Sequence, residues 1–176
     1  MGNRQVTYLV VSAVAAVALA VTAFATPGSG VLSATVFART SFQDPVDIKF
    51  KITQEKGDKK DGHGRQEIIR ILDTREMVVQ QIVLSPGGQT GWHSHPGPVI
   101  VLVKAGALTL YAGDDPECGA RTYTAGQSFI DSGQGHVHYA RNESASADTD
   151  LWAVYFDVPP GGAFRIDAPA PGNCSF

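Results

Sequence analysis

The stretch GWHSHPGPVIVLVKAG, residues 91–106, contains two histidines two positions apart and then a continuous apolar run. Residues two apart in an extended strand point to the same face, so His93 and His95 can present two imidazoles to one cavity. Imidazole is the commonest metal ligand among protein side chains. Residues 99–103 are apolar at every position, which predicts a strand covered by protein on both faces.

A second pair of histidines, His136 and His138, lies in the stretch GQSFIDSGQGHVHYARN, residues 126–142. His136 shares a face with His138 only if a strand begins directly after Gly135. His136 is therefore either an additional ligand or substrate contact, or a polar residue at the mouth of a barrel. Gln89, in the glycine-rich approach to His93, is a candidate hydrogen-bond donor behind the ligands.

The rest of the chain is a series of short runs rich in Val, Ile, Thr and aromatic residues, separated by Gly, Pro, Asp and Ser. The runs are 47–53, 67–72, 77–84, 98–106, 108–113, 121–126, 128–131, 136–142 and 151–158. Their spacing predicts an all-β sandwich or barrel of antiparallel strands, although residues 67–72 could equally form a helical turn. A small closed barrel has room inside for side chains, a metal ion or one small ligand.

Two stretches of the chain, the first with His93 and His95 and the second with His138, resemble the two motifs of the cupin family and occur in the same order as in that family. The matching positions are Gly87, His93, His95, Gly106, Gly135, His138 and Asn142. Gly133 stands where the family has proline. The resemblance covers roughly residues 76–158, and it implies a single-domain, RmlC-like jelly-roll β-barrel.

The resemblance also implies a set of metal ligands, because His93, His95 and His138 match the family's three metal-binding histidines. Val99 stands where the family has a glutamate, and no acidic residue occurs between residues 81 and 113. Three neutral nitrogens would leave one divalent ion with its full charge and at least one open position. Imidazole suits zinc, copper, iron and nickel, and the family adds manganese, so the identity of the metal stays open.

Residues 1–25 have the pattern of an export signal. Arg4 precedes an apolar run over residues 9–25 that ends in Ala23-Phe24-Ala25, a small-x-small cleavage pattern. We expect an export helix that is cleaved as a signal peptide. The alternative is an uncleaved membrane anchor, since a run of 17 residues is at the lower edge of what spans a bilayer. Both alternatives place the domain outside the cytoplasm, either secreted or anchored by residues 9–25.

Behind this segment, residues 26–44 are interpreted as a linker and residues 45–176 as the cupin domain. The central apolar residues of the linker could instead add an edge strand. Residues 56–66 combine charge with glycine and predict an exposed loop, in which His63 is solvated.

Two cysteines, Cys118 and Cys174, are present. An even number in an exported protein favours a disulfide, while the absence of a Cys-x-x-Cys spacing disfavours a redox pair or thiolate ligands. The chain is also similar, as far as its tail, to a group of secreted bacterial single-domain cupins without an assigned substrate. That resemblance would pair Cys118 with Cys174.

The composition and the candidate ligands limit the function to three classes. The formal charge of −3 gives no basic surplus, which argues against nucleic acid as a partner. The remaining classes are a metal-dependent enzyme, either dioxygenase-like or hydrolase/lyase-like; a non-catalytic module that binds a metal or small ligand; and a structural barrel with no ligand. The expected partner is a small carbonyl or carboxylate compound, and a homodimer is left open.

Overall fold

The computed structural model describes residues 25–54 and 65–176. The predicted signal peptide or anchor, apart from Ala25, and most of the predicted loop 56–66, with His63, lie outside the described residues. Every regular element of the described part is a strand or an isolated bridge, as the sequence predicts. No helix in residues 25–54 and 65–176 is long and apolar enough to cross a membrane.

Antiparallel strands form one sheet that curls into a nearly closed barrel. They are β1 (Ser29–Gln54), β2 (Arg65–Gln89), β3 (His93–Ser94), β4 (Val99–Ala105), β5 (Ala107–Ala112), β6 (Arg121–Thr124), β7 (Ser128–Asp131), β8 (His138–Arg141), β9 (Thr149–Val158) and β10 (Ile166–Asp167). The main path of neighbouring strands is β10-β3-β8-β2-β9-β4-β7, while β1 pairs with β2, β5 with β8, and β6 with β5. This is the predicted jelly-roll β-barrel.

The barrel interior follows the two-residue period of its strands. Along β9, Leu151, Ala153 and Tyr155 are buried and alternate with partly exposed residues. Along β4 the buried residues include Val99 and Val101. Leu102 on the outer face is 44% exposed, so the prediction that protein covers both faces of residues 99–103 is wrong. Strands β9 and β7 hydrogen-bond to the two edges of β4. This pairing does not cover the outer face of β4, which therefore remains at the surface.

The first strand corrects the predicted linker. Residues 29–44 lie in β1 and pair with β2, from Ser29 opposite Gln89 to Ser41 opposite Glu76 and beyond. The alternative of an edge strand is therefore right for this segment. The same pairing places residues 67–72 inside β2, which rules out a helical turn there. Ile69 and Ile71 are buried on the inner face of that strand.

The tail is fixed beside the histidine strand. Cys118 and Cys174 form the expected disulfide. Phe176 stacks on Trp92 with 6.4 Å between the ring centroids, so the tail packs directly before His93. The backbone N–H of Thr26 donates to the Ala168 carbonyl over 3.1 Å, which joins both ends of the described domain at this point.

Candidate metal centre

The three predicted ligands meet inside the barrel. His93 on β3 lies directly opposite His138 on β8, and His95 follows the end of β3. The ring centroids are 4.3 Å apart for His93 and His138, 4.9 Å for His93 and His95, and 5.2 Å for His95 and His138. All three residues are buried, and one nitrogen of each lies within 4.8 Å of the others. This three-histidine cluster could hold a metal ion.

Backbone carbonyls fix the tautomers of two of these rings. Nδ1 of His93 is 2.9 Å from the Gly91 carbonyl oxygen, and Nδ1 of His95 is 2.8 Å from that of Phe164. A carbonyl oxygen only accepts, so Nδ1 carries the hydrogen in both rings and Nε2 keeps its lone pair. Burial lowers the pKa of both histidines, and the charges of His138 and Arg165 lower that of His93 further. Both rings are therefore neutral near pH 7, the form that binds a metal.

A buried carboxylate lies behind the third ring. Oδ2 of Asp131 is 3.5 Å from Nδ1 of His138, and neither atom has a hydrogen-bond partner among the described residues. Burial alone would raise the pKa of Asp131, but the hydrogen bond from His136 and the charge of His138 outweigh it and lower this pKa. Burial lowers the pKa of His138 to about 4. If these two atoms moved slightly closer, Nδ1–H of His138 would donate to Asp131 and leave Nε2 free. Metal-binding histidines usually donate such a hydrogen bond from the nitrogen that does not bind the metal.

Val99 lies in the wall of the site, at the position of the missing glutamate. It is 1% exposed and lines a small cavity of about 40 Å³ together with the three-histidine cluster. Its partners across the sheet are Asp131 on β7 and Tyr155 on β9, so the three side chains share the inner face. The nearest acid is thus one strand away from Val99 and lies behind His138. The donor set that faces the cavity remains three neutral nitrogens, which fit a divalent transition-metal ion.

His136 lies on the other side of Asp131. Strand β8 begins at His138, so His136 precedes the strand, but its ring stacks near that of His138 with 6.3 Å between the centroids, and one ligand atom each of Asp131, His136 and His138 lie within 4.8 Å of one another. Its Nδ1 is 3.1 Å from Oδ1 of Asp131 and its Nε2 is 3.4 Å from Oδ1 of Asp114. The hydrogen bond with Asp131 raises the pKa of His136. His136 therefore contacts the carboxylate behind the cluster and lines a separate cavity of about 370 Å³.

Gln89 supports the backbone before the ligands and does not donate to an imidazole. Its Nε2 donates to Ser29 Oγ over 2.9 Å and to the Pro27 carbonyl over 3.3 Å. Its Oε1 accepts from the N–H of Gly91, whose carbonyl in turn holds His93. The predicted donation to a ligand is thus replaced by contacts with β1, because Gln89 pairs with Ser29 at the end of β2.

A larger cavity of about 540 Å³ opens in front of His93 and His95, and we call it the mouth cavity. Its lining residues are Pro27, Gly28, Val31, Ala34, Gln80, Ile82, Thr90, His93, His95, Tyr155, Ala163, Phe164, Arg165 and Asp167. Tyr155 donates to Oε1 of Gln80 over 2.9 Å, and burial raises its pKa, so the phenol stays protonated. Sequence reasoning missed Gln80, Tyr155 and Arg165. The one local signal is FRID, residues 164–167, a charged pair in a tail rich in Pro, Gly and Ala.

No protein-family model matches the sequence, and no curated protein matches it significantly. Solved structures match in part. A cupin-like protein from Thermotoga maritima is 22% identical, with a TM-score of 0.44 over 53% of this chain and 65% of that one. An uncharacterized protein with a double-stranded β-helix domain from Klebsiella pneumoniae is 25% identical, with a TM-score of 0.42 over 52% and 74%.

An oxalate oxidase structure is 21% identical, with a TM-score of 0.39 over 46% of this chain and 41% of that one. The chain thus spans less than two thirds of the length of the Thermotoga protein and of the oxalate oxidase. These partial likenesses concern the barrel alone. The resemblance of this chain to cupins rests on its own two motifs, on the antiparallel barrel they belong to, and on the histidines that they bring together. By its motifs and by its nearly closed antiparallel barrel, the chain resembles the cupins.

Proposed function

We propose that this protein is an exported cupin that binds one divalent metal ion through His93, His95 and His138 and there acts on or binds a small carbonyl or carboxylate compound. The observation that carries the proposal is the pair of hydrogen bonds from Nδ1 of His93 and His95 to backbone carbonyls. These bonds direct the lone pairs of two neutral rings away from the backbone, and the buried carboxylate of Asp131 can do the same for His138.

An ion bound by three neutral nitrogens would supply Lewis acidity at an open coordination position. The side chains around it would hold a ligand and keep water out. Val99 and its apolar neighbours Val101, Leu108 and Leu151 line the inner cavity, while Gln80 and Tyr155 offer polar atoms toward the mouth cavity. This combination suits a small ligand with one polar end.

The second candidate is a binding module without turnover. The observation in its favour is that the acids and bases near the cluster face other groups of the protein, with Asp167 paired to Arg165. Asp131 lies behind His138, and the phenol of Tyr155 stays protonated and bonded to Gln80. An oxygen-uptake screen of the metal-loaded protein against small carbonyl and phenolic compounds separates a dioxygenase-like enzyme from the binding module, since only the dioxygenase-like enzyme consumes oxygen.

Elemental analysis of protein purified from its native compartment tests the metal site. We expect one ion per chain in the wild type, little or none in His93→Ala and His138→Ala, and undiminished metal in His136→Ala. The last variant is the matched control, because His136 lies outside the cluster. Undiminished metal in both His93→Ala and His138→Ala would contradict the three-histidine site.

Export is supported by two features. The segment over residues 9–25 is apolar, and the Cys118–Cys174 disulfide is compatible with an oxidising compartment outside the cytoplasm. Cell fractionation with N-terminal sequencing tests it. A secreted product that begins at Thr26 supports a cleaved signal, a full-length product in the membrane fraction supports the anchor, and a cytoplasmic product contradicts both.

A further inference from the structure

Arg165 supplies the cationic group of the mouth cavity. Among the residues that line this cavity, Arg165 carries the positively charged side chain and Asp167 carries the carboxylate. Its backbone position is fixed next to the ligands. The carbonyl of the preceding residue, Phe164, accepts from His95, and Asp167 lies directly opposite His93 in the β10 and β3 pairing. Arg165 therefore lies between two residues that contact the histidines.

The guanidinium is held in place but is not fully occupied. Nε donates to Oδ1 of Asp167 over 2.7 Å, and Nη2 donates to the Thr90 carbonyl over 2.6 Å. Nη1 has no hydrogen-bond partner within residues 25–54 and 65–176, and the side chain is 32% exposed. Two bonds thus fix the plane of the group while one nitrogen remains for an incoming oxygen. Because the side chain is already ordered, little conformational entropy remains to be lost when a ligand binds.

Part of the lining of the mouth cavity is apolar. Val31, Ala34, Ile82 and Phe164 form this part, and none of them carries a polar side-chain atom. A ligand that fills the cavity therefore meets both a cationic side chain and several apolar side chains. Arginine pairs strongly with carboxylates, because its planar donors match the two carboxylate oxygens.

We propose that Arg165 binds the carboxylate of a small organic acid whose apolar body occupies the mouth cavity in front of His93 and His95. This inference rests on the proposed function, since it names the ligand class for the same site. Asp167 acts as the positioning residue, since its Oδ1 accepts from Nε of the guanidinium. The ion pair alone does not account for the arrangement, because it uses Nε and leaves Nη1 without an acceptor in residues 25–54 and 65–176.

The test compares benzoate with its neutral analogue benzamide by calorimetric titration of the full-length protein. Each titration is done with zinc-loaded and with chelator-treated protein, so that binding to the metal and binding to Arg165 are separated. Arg165→Gln removes the charge, and Arg165→Lys keeps it without the planar donors. Arg121→Gln is the matched control, since Arg121 is an exposed arginine in the separate cavity beside His136.

We expect both forms of the wild type to bind benzoate more tightly than benzamide. Arg165→Gln should weaken benzoate roughly tenfold or more, the effect of losing a charged hydrogen bond, with benzamide changed less than about twofold. Unchanged benzamide binding also shows that the variant is folded. The benzoate affinity of Arg165→Lys should lie between those of the wild type and Arg165→Gln. The affinity of Arg121→Gln should match that of the wild type.

Three results would overturn the inference: no preference for benzoate over benzamide in the wild type, no binding of either compound, or equal losses in Arg165→Gln and Arg121→Gln. Failure of the proposed metal site gives a different pattern. In that case the protein contains no metal, yet chelator-treated protein still distinguishes benzoate from benzamide through Arg165.

Discussion

Substitution of Val99 by glutamate restores a carboxylate at the position where the cupin motif has one. Val99 is 1% exposed and lines the small cavity beside the cluster, so the new carboxylate is buried too. In metal-free protein the change loses a buried valine, worth about 1.5–3 kcal/mol. It also adds an unpaired buried charge, which costs about 3–5 kcal/mol. Asp131, directly opposite on β7, adds like-charge repulsion.

The expected destabilisation is therefore at least about 4 kcal/mol, which lowers the melting temperature of a domain of this size by roughly 10 °C or more. A divalent ion reverses the effect, because the carboxylate then has an opposite charge beside it and becomes a fourth ligand. Thermal melts with chelator and with saturating zinc measure both states, and competition against a coloured chelator measures affinity. Val99→Gln is the matched control, since it has nearly the same size and no charge.

We expect Val99→Glu to be the least stable variant without metal and the tightest binder with it. Two results would refute the reasoning. A metal-free Val99→Glu protein as stable as Val99→Gln would mean that position 99 is not buried beside the cluster. Equal zinc affinity of the two variants would mean that side chains at this position do not reach the ion.

Three further predictions concern the surroundings of the cluster. Asp131→Asn should weaken metal binding about ten- to hundredfold, measured by the same competition; a loss of similar size in Asp114→Asn, which changes only the outer partner of His136, would contradict it. Removal of the disulfide by Cys118→Ser should lower the free energy of unfolding by about 4 kcal/mol, from the entropy of a 56-residue loop, and unchanged denaturant midpoints would disprove this. The metal-free protein should also lose stability as the pH falls. The folded pKa of His138, about 4, lies below the unfolded value of 6.5, so the unfolded state binds more protons between these values. The full contribution, about 3 kcal/mol, is present above pH 6.5 and disappears toward pH 4, and a flat urea-denaturation profile over that window would contradict it.

The histidine cluster was predictable because its signals are local. The two-residue period aligns His93 and His95, and the motif spacing adds His138. Asp131 and Arg165 had no comparable signal, because their positions near the ligands depend on pairings between distant strands. Asp131 faces inward through its pairing with Val99, and Arg165 reaches the cluster because β10 pairs with β3.

The strand boundaries show where local patterns fail. Residues 29–44 are small and polar with mostly exposed apolar members such as Leu32 and Phe37, so their composition is that of a linker. They form a strand because β2 offers a hydrogen-bonding edge, which composition does not reveal. For His136 the predicted role depended on where strand β8 begins, a difference of two residues. The strand begins at His138, so His136 lies just before it and hydrogen-bonds Asp131 beside the three-histidine cluster.

Residues from early and late positions in the sequence meet at the mouth cavity. This has a consequence for the order in which the site is synthesised. Thr26 bonds to Ala168 across 142 positions, and β10, which pairs with the histidine strand, is the last strand described. On the ribosome, all three histidines are therefore synthesised before Arg165 and the residues that cover them. Contacts of such high sequence separation form late in folding. A nascent chain thus passes through a stage in which all three histidines have been synthesised while Arg165, the proposed ligand-binding residue, has not.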